Sequence, residues 1–117
     1  MEFDDVIARR KMVRNFTANP GDPTALDRIL DAARRAPSAG FTQGWGFLTL
    51  VGPTETERFW NATFDATGRA GFRWQGLFNA PVIVVPCSNE SAYITCYAET
   101  DMGWHDRDPA RCPGPYW

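Results

Sequence analysis

The chain has 117 residues and a formal net charge of −2 at pH 7. Its length fits one small domain, and its 44% apolar and 22% charged residues are typical of a folded globular protein rather than a disordered one. The acidic balance argues against a general affinity for nucleic acid or for acidic membrane surfaces.

Targeting and metal-binding signals are weak in this sequence. No run approaches the roughly eighteen apolar residues of a membrane span, and the N-terminus Met1–Asp5 is acidic where a signal peptide is basic. We therefore expect a cytoplasmic protein without a membrane partner. The cysteines Cys87, Cys96 and Cys112 lack the close pairs of a zinc site, so we interpret them as buried or idle thiols. His105 is expected to be a solvated loop residue, since no second ligand or nucleophile is spaced to join it.

The first half of the chain predicts two helices and a strand. The first helix is expected over Phe3–Val13. Asp22 before Pro23 is a good helix start, so a second amphipathic helix is predicted from there to about Arg35. A glycine-rich loop then leads into the apolar run Phe47–Val51, which is typical of a buried strand.

The second half predicts further helices around a second strand. Thr54 to Glu57 has the pattern of a capping box and starts a third helix. A short helix is expected over Phe72–Phe78, a central strand over Val82–Cys87 and a helix over Ala92–Met102. Helices interspersed with two buried strands favour an α+β or α/β architecture in a single domain over residues 1–117.

Four of the six residues from Arg9 to Arg14 are basic. On the predicted first helix, Arg10 and Arg14 continue the apolar stripe of Phe3, Val6 and Ile7, so they would point toward the interior. Burying a guanidinium requires an anion, such as a phosphate, between the elements. The alternative is a solvated helix end, where cations interact favourably with the macrodipole, and composition alone leaves both interpretations open.

Two motifs in order resemble the opening of the nitroreductase family of flavin enzymes. They are Arg10-Lys11-Met12-Val13-Arg14-Asn15-Phe16 and Ala36-Pro37-Ser38-Ala39-Gly40-Phe41-Thr42-Gln43-Gly44-Trp45-Gly46-Phe47. Asn79-Ala80-Pro81 before the second strand and the final Pro115-Tyr116-Trp117 resemble later parts of the family's N-terminal portion. The resemblance implies an α+β fold of three layers, with a central sheet flanked by helices, that is incomplete at the C-terminus.

Members of this family are homodimers that bind FMN and pass electrons from NADH or NADPH to nitro compounds, quinones or similar acceptors. By resemblance, Arg10, Lys11 and Arg14 would contact the FMN phosphate and ribityl chain, and Met12 would add backbone contacts. By the same resemblance, Pro37, Ser38, Ala39 and Gly40 would lie against the isoalloxazine ring or its ribityl chain from the partner subunit. The implied mechanism is ping-pong transfer, with no catalytic acid, nucleophile or metal supplied by the protein.

The chain departs from the family pattern at three positions. Met12 stands where many members have serine, Phe41 where they have asparagine and Gly44 where they have proline. Two alternatives therefore accompany the reductase hypothesis. One is a superfamily relative with other flavin chemistry, such as flavin fragmentation, dehalogenation or deazaflavin maturation, and the other is a non-catalytic truncated fragment.

Overall fold

The computed structural model describes residues 2–102. These residues form five α-helices and two β-strands. They are α1 (Phe3–Arg9), α2 (Pro23–Arg34), β1 (Trp45–Val51), α3 (Pro53–Thr63), α4 (Ala66–Ala70), β2 (Val82–Ser88) and α5 (Glu90–Tyr97). Short 3-10 turns cover Ala39–Phe41, Gln75–Asn79 and Thr100–Met102. The expectations for His105, Cys112 and Pro115–Trp117 lie outside the described residues.

The sheet consists of β1 and β2 within the part of the chain that the structure describes. Gly52 donates its N–H to the Pro81 carbonyl at 2.9 Å, and Asn89 donates to the Gly44 carbonyl at 2.7 Å. These two bonds pair the end of each strand with the start of the other, so the strands are antiparallel. Helices with an antiparallel sheet confirm the α+β class. The prediction that the second strand is central is wrong for this region, because a two-stranded sheet has only edge strands.

The first helix is shorter than predicted. It ends at Arg9, and Arg10 already has extended backbone (φ −62°, ψ 125°). The helix buries none of its residues, with Phe3 76% and Ile7 54% exposed. A seven-residue helix without a buried face lacks the tertiary packing that would stabilise further turns. Beyond its end, Phe16 bonds to Gly76 instead of continuing a helix. The prediction of an inward-facing helical stripe that reaches Arg14 is therefore wrong.

The second and third helices begin in different ways. Asp22 caps α2 as predicted, because its carboxylate accepts the Thr24 N–H at 2.9 Å. The Thr24 hydroxyl donates to the same carboxylate at 2.8 Å, and this bond, followed by the one from the N–H, lowers the pKa of Asp22. At α3 the predicted capping box is wrong, since Pro53 is already helical and the cap is Gly52 at φ 80°. An acidic side chain of the first turn nevertheless bonds to the backbone before the helix, because the Glu55 carboxylate accepts the Val51 N–H at 2.6 Å.

Two of the remaining predicted elements, the second strand and the helix after it, are confirmed with shifted boundaries. The second strand runs one residue further than predicted, to Ser88, and the helix that follows begins at Glu90, with the Asn89 side chain as its cap. That helix ends at Tyr97 rather than Met102. The expected helix over Phe72–Phe78 is only a 3-10 turn over Gln75–Asn79, since Phe72 to Trp74 are not helical.

The described chain forms two compact units, of residues 2–21 with 50–83 and of residues 22–49 with 84–102. The first unit is built on aromatic packing. Trp60, 6% exposed, contacts the ring of Phe78 edge-on at 5.1 Å between centroids, and Phe64 and Phe72 join the same cluster. In the second unit the most buried aromatic residue is Tyr93, at 5%.

Candidate functional site

The basic segment that the sequence singled out lies in the first unit, directly after α1. Arg10, Lys11, Met12 and Arg14 all occupy irregular, solvent-exposed backbone. Because these side chains are exposed, they do not need a buried anion as the sequence pattern suggested. The segment is instead a cluster of three positive charges within five residues of accessible, irregular chain.

This segment is anchored at its C-terminal end by a turn far away in the sequence. Phe16 donates its N–H to the Gly76 carbonyl at 2.9 Å, and Asn79 donates its side-chain amide to the Phe16 carbonyl at 3.4 Å. Asn15 lies directly over Gly76, where an added Cβ would fall 2.8 Å from the Asn15 Cγ. A side chain at this position would displace the Asn15 side chain, so glycine permits the close approach.

The charges of the basic segment have no carboxylate partner among residues 2–102. The ion pairs found there join Arg35 to Asp31 and Arg69 to Glu57, and neither involves Arg10, Lys11 or Arg14. The Arg14 guanidinium instead lies 4.8 Å from the centroid of the Trp74 ring. A cation within about 6 Å of an indole centroid is attracted to the ring face. The segment therefore presents positive charge that no described acidic side chain neutralises.

The second predicted motif forms a strained loop in the second unit. Gly40, Phe41 and Gln43 have φ values of 57°, 52° and 52°. Glycine adopts this left-handed conformation freely, but the two other residues do so at a cost that surrounding contacts must offset. Such backbone outliers cluster at binding sites.

Contacts inside the second unit hold this loop in place. The Ser38 hydroxyl accepts the Gln43 N–H at 2.8 Å and lies 3.4 Å from the Tyr93 hydroxyl. A Cβ on Gly40 would fall 2.6 Å from Met102 Cε, and one on Gly44 would fall 2.8 Å from Tyr93 Cε2. The small residues of the loop thus allow it to pack closely on α5 and on the 3-10 turn Thr100–Met102.

A cleft of about 340 Å³ opens beside the loop, within the second unit. This volume lies within the usual range of small-molecule sites. Most of its lining is apolar, and it includes three of the four predicted loop residues. These three are Pro37, Ser38 and Ala39. The other residues that line the cleft are Ala33, Ala36, Trp45, Gly46, Phe47, Pro86, Cys87, Ser88 and Tyr93.

The structure thus groups the predicted site residues into two sets, one in each unit. Sequence reasoning missed Trp74 and Gly76 beside the basic segment and Tyr93 beside the loop. The available signal for Trp74 was that an arginine, Arg73, directly precedes it in the sequence; in the structure the Arg73 Cζ lies 5.3 Å from the centroid of the Trp74 ring. Cys87 and Cys96 are free thiols, and no cluster of three metal-ligating side chains is found among the described residues.

Comparison with known proteins relates this chain to nitroreductases. A family model described as the nitroreductase family matches residues 7–111. A 4-nitrobenzoate reductase from Pseudomonas putida is 41% identical over 51 residues, which are 44% of this chain and 22% of that protein. The chain therefore matches less than a quarter of that curated relative's length.

Two solved structures share the fold. A protein assigned as an NADH oxidase from Clostridium acetobutylicum superimposes with a TM-score of 0.59 at 27% identity, over 92% of this chain and 58% of that one. A nitroreductase-like protein from Streptococcus mutans gives a TM-score of 0.58 at 19% identity, over 94% and 52%. The chain spans somewhat more than half the length of these proteins. No described helix is long and apolar enough to cross a membrane.

Proposed function

Because the chain belongs to the nitroreductase family, we propose that it supplies part of an FMN-dependent oxidoreductase. The enzyme would take electrons from NADH or NADPH and pass them to nitro compounds, quinones or similar acceptors. The observation that carries this proposal is the basic segment, whose charges no described carboxylate neutralises.

The residues of the segment fit the phosphate of FMN. Arg10, Lys11 and Arg14 provide three cations for a group that carries nearly two negative charges at neutral pH. Guanidinium forks match the oxygens of a phosphate, and charge-assisted hydrogen bonds of this kind are about twice as strong as neutral ones. Met12 lies between them in irregular backbone, where its peptide groups can contribute hydrogen bonds.

The second set of residues suits the flat part of the cofactor. Pro37 and Ala39 contribute small apolar surface to the cleft beside the loop, and Gly40 supplies the left-handed backbone of the turn that follows them. We assign Pro37, Ser38, Ala39 and Gly40 to the flavin held by the partner subunit of a homodimer. The exposed apolar residues of α1, among them Phe3 and Ile7, support such an interface because large apolar side chains on a surface favour association.

The protein's own contribution is to bind and orient rather than to transfer protons. None of the assigned residues is a general acid, a general base or a nucleophile. Bound FMN would supply the hydride and electron transfer, with nicotinamide and acceptor reacting in turn by a ping-pong scheme. The likeness to a 4-nitrobenzoate reductase makes a nitroaromatic carboxylate the first acceptor to test.

The test is the absorption spectrum of the purified protein. We expect the protein to be yellow, its flavin absorption to bleach on adding NADH or NADPH without oxygen, and 4-nitrobenzoate or a quinone to restore it. Arg14→Ala should lower FMN affinity more than tenfold, as expected when a charge-assisted contact worth about 1.5–3 kcal/mol is lost.

Arg35→Ala is the matched control, since it removes an exposed arginine that is paired with Asp31 on α2. This variant should bind FMN as the unmodified protein does. Protein that stays colourless after FMN is supplied would contradict the proposal, and unchanged affinity in Arg14→Ala would return the basic segment to the solvated interpretation.

A further inference from the structure

Trp74 occupies a fixed position next to the basic segment. It is half-buried and immediately precedes the 3-10 turn Gln75–Asn79. Its ring packs edge-on against Phe72, with 5.7 Å between centroids, and Phe72 belongs to the aromatic cluster of the first unit. The contact with Phe72 therefore joins the indole to the aromatic core of that unit.

Two arginines of the first unit lie over aromatic rings at the same distance but differ in what else they bind. Arg69 is 4.8 Å from the Phe78 centroid, and its guanidinium also donates to both carboxylate oxygens of Glu57, one at 2.8 Å, and to Asn61 at 3.3 Å. Arg14 is 4.8 Å from the Trp74 centroid and has no such acceptor among the described side chains. The donors of Arg69 are committed to the protein, whereas the ring face holds Arg14 without using its hydrogen-bond donors.

The backbone next to Arg14 is held by the residues next to Trp74. The bond from Phe16 to the Gly76 carbonyl and the close approach of Asn15 to Gly76 join residues 15–16 to the turn that begins after the indole. One turn thus sets both the path of the basic segment and the position of the ring on which its last arginine lies.

We propose that Trp74 is a positioning residue that holds the Arg14 guanidinium ready to bind the phosphate of a phosphomonoester ligand. The chemistry of the ligand follows from the free fork of donors, which matches phosphate oxygens. That the phosphomonoester is FMN rests on the proposed function, whereas the role of Trp74 rests on the contacts described here.

The experiment compares binding of FMN with binding of riboflavin, which lacks the phosphate. Trp74→Met keeps an apolar side chain but removes the ring face, and Trp74→Phe keeps a ring. We expect Trp74→Met to weaken FMN binding by about 3- to 10-fold and riboflavin binding by less than about 2-fold, with Trp74→Phe close to the unmodified protein. In an Arg14→Ala background, Trp74→Met should have no further effect on FMN binding.

Arg73→Gln is the matched control, because Arg73 lies beside the same ring but outside the basic segment. It should weaken FMN binding less than Trp74→Met does. An equal loss in these two variants would mean that the ring acts through Arg73 as much as through Arg14, and would overturn the proposal. An equal loss of FMN and riboflavin affinity in Trp74→Met would overturn it too.

A measurement without flavin separates this proposal from the proposed function. The NMR resonance of the Arg14 Nε–H should show a ring-current shift that is lost in Trp74→Met and retained in Trp74→Phe, and it should move on titration with inorganic phosphate. If this holds while FMN does not bind, the proposed function fails and the role of Trp74 stands. If no ring-dependent shift is seen, the role of Trp74 fails whether or not FMN binds.

Discussion

At the scale of single residues, glycines decide how closely the loop over residues 38–44 packs on α5. Gly44 stands where many family members have proline, and in this chain Tyr93 occupies the space beside its Cα. The preceding Gln43 has a φ of 52°, a conformation that is unfavourable before proline. The departure from the family motif at Gly44 is thus matched by the position of Tyr93.

This packing predicts that Gly44→Ala destabilises the protein. The new Cβ would fall 2.8 Å from Tyr93 Cε2 and 3.0 Å from Ala92 Cβ, and Tyr93 is too buried to move aside freely. We expect the free energy of unfolding to fall by about 1–3 kcal/mol, the usual cost of overpacking. Urea denaturation followed by circular dichroism measures the change.

Gly46→Ala is the matched control, since nothing beyond its chain neighbours lies within 4 Å of the added Cβ. It should leave the stability within about 0.5 kcal/mol of the unmodified protein. Similar losses in both variants would mean that glycine flexibility rather than the contact with Tyr93 is responsible.

At the scale of elements, α4 is joined to α3 by a bidentate ion pair. Arg69 donates to both carboxylate oxygens of Glu57, and this hydrogen bonding lowers the pKa of Glu57 and raises that of Arg69. The five residues of α4 bury none of their own side chains. Their attachments include this pair, the stacking of Arg69 over Phe78, and the Gln75 side-chain amide, which donates to the Arg69 carbonyl at 2.9 Å.

The ion pair predicts a specific dependence of stability on pH. Because folding lowers the pKa of Glu57, its contribution is present above the ordinary glutamate value and is lost as pH falls through the lower value of the folded state. We expect the melting temperature of Glu57→Gln to lie below that of the unmodified protein at pH 7, with the difference shrinking below about pH 4.5.

Melting curves measured between neutral and acidic pH test this dependence. Glu99→Gln serves as control, since Glu99 is exposed and in no ion pair among the described residues. Its difference from the unmodified protein should change little with pH. A Glu57→Gln difference that stays constant over the same interval would contradict the role of the ion pair.

At the scale of the whole molecule, the proposed homodimer explains the exposed apolar surface of α1. Its three large apolar residues, Phe3, Val6 and Ile7, are 76%, 48% and 54% exposed. Scattered apolar residues on a surface are ordinary, but three on one short helix form a patch that association would cover.

The dimer is tested by light scattering coupled to size-exclusion chromatography. We expect a mass near twice that of one chain, and Ile7→Glu should shift the protein toward the monomer because a charge would be buried in the interface. Ile7→Val, which stays apolar, should remain dimeric. A monomeric unmodified protein would contradict both the interface and the assignment of the loop over residues 37–40 to a partner's flavin.

The sequence by itself determined the features that depend on neighbouring residues. Asp22 and Pro23 start a helix because a carboxylate cap and a fixed φ act within one turn. The apolar β-branched run Val82–Val85 forms a strand. The two sequence motifs, over residues 10–16 and 36–47, indicated the nitroreductase family, which the match to the family model confirmed. These elements alone left α+β and α/β open, and the resemblance to the family selected α+β.

Only the tertiary structure decided where the basic segment leaves the helix and what lies beside it. Phe16 is bonded to Asn79, 63 residues further along the chain, and Arg14 contacts Trp74. Periodicity cannot foresee such contacts, because they depend on how distant turns meet rather than on local preference. Helical spacing therefore predicted buried arginines, whereas the folded chain exposes them and holds Arg14 with a ring.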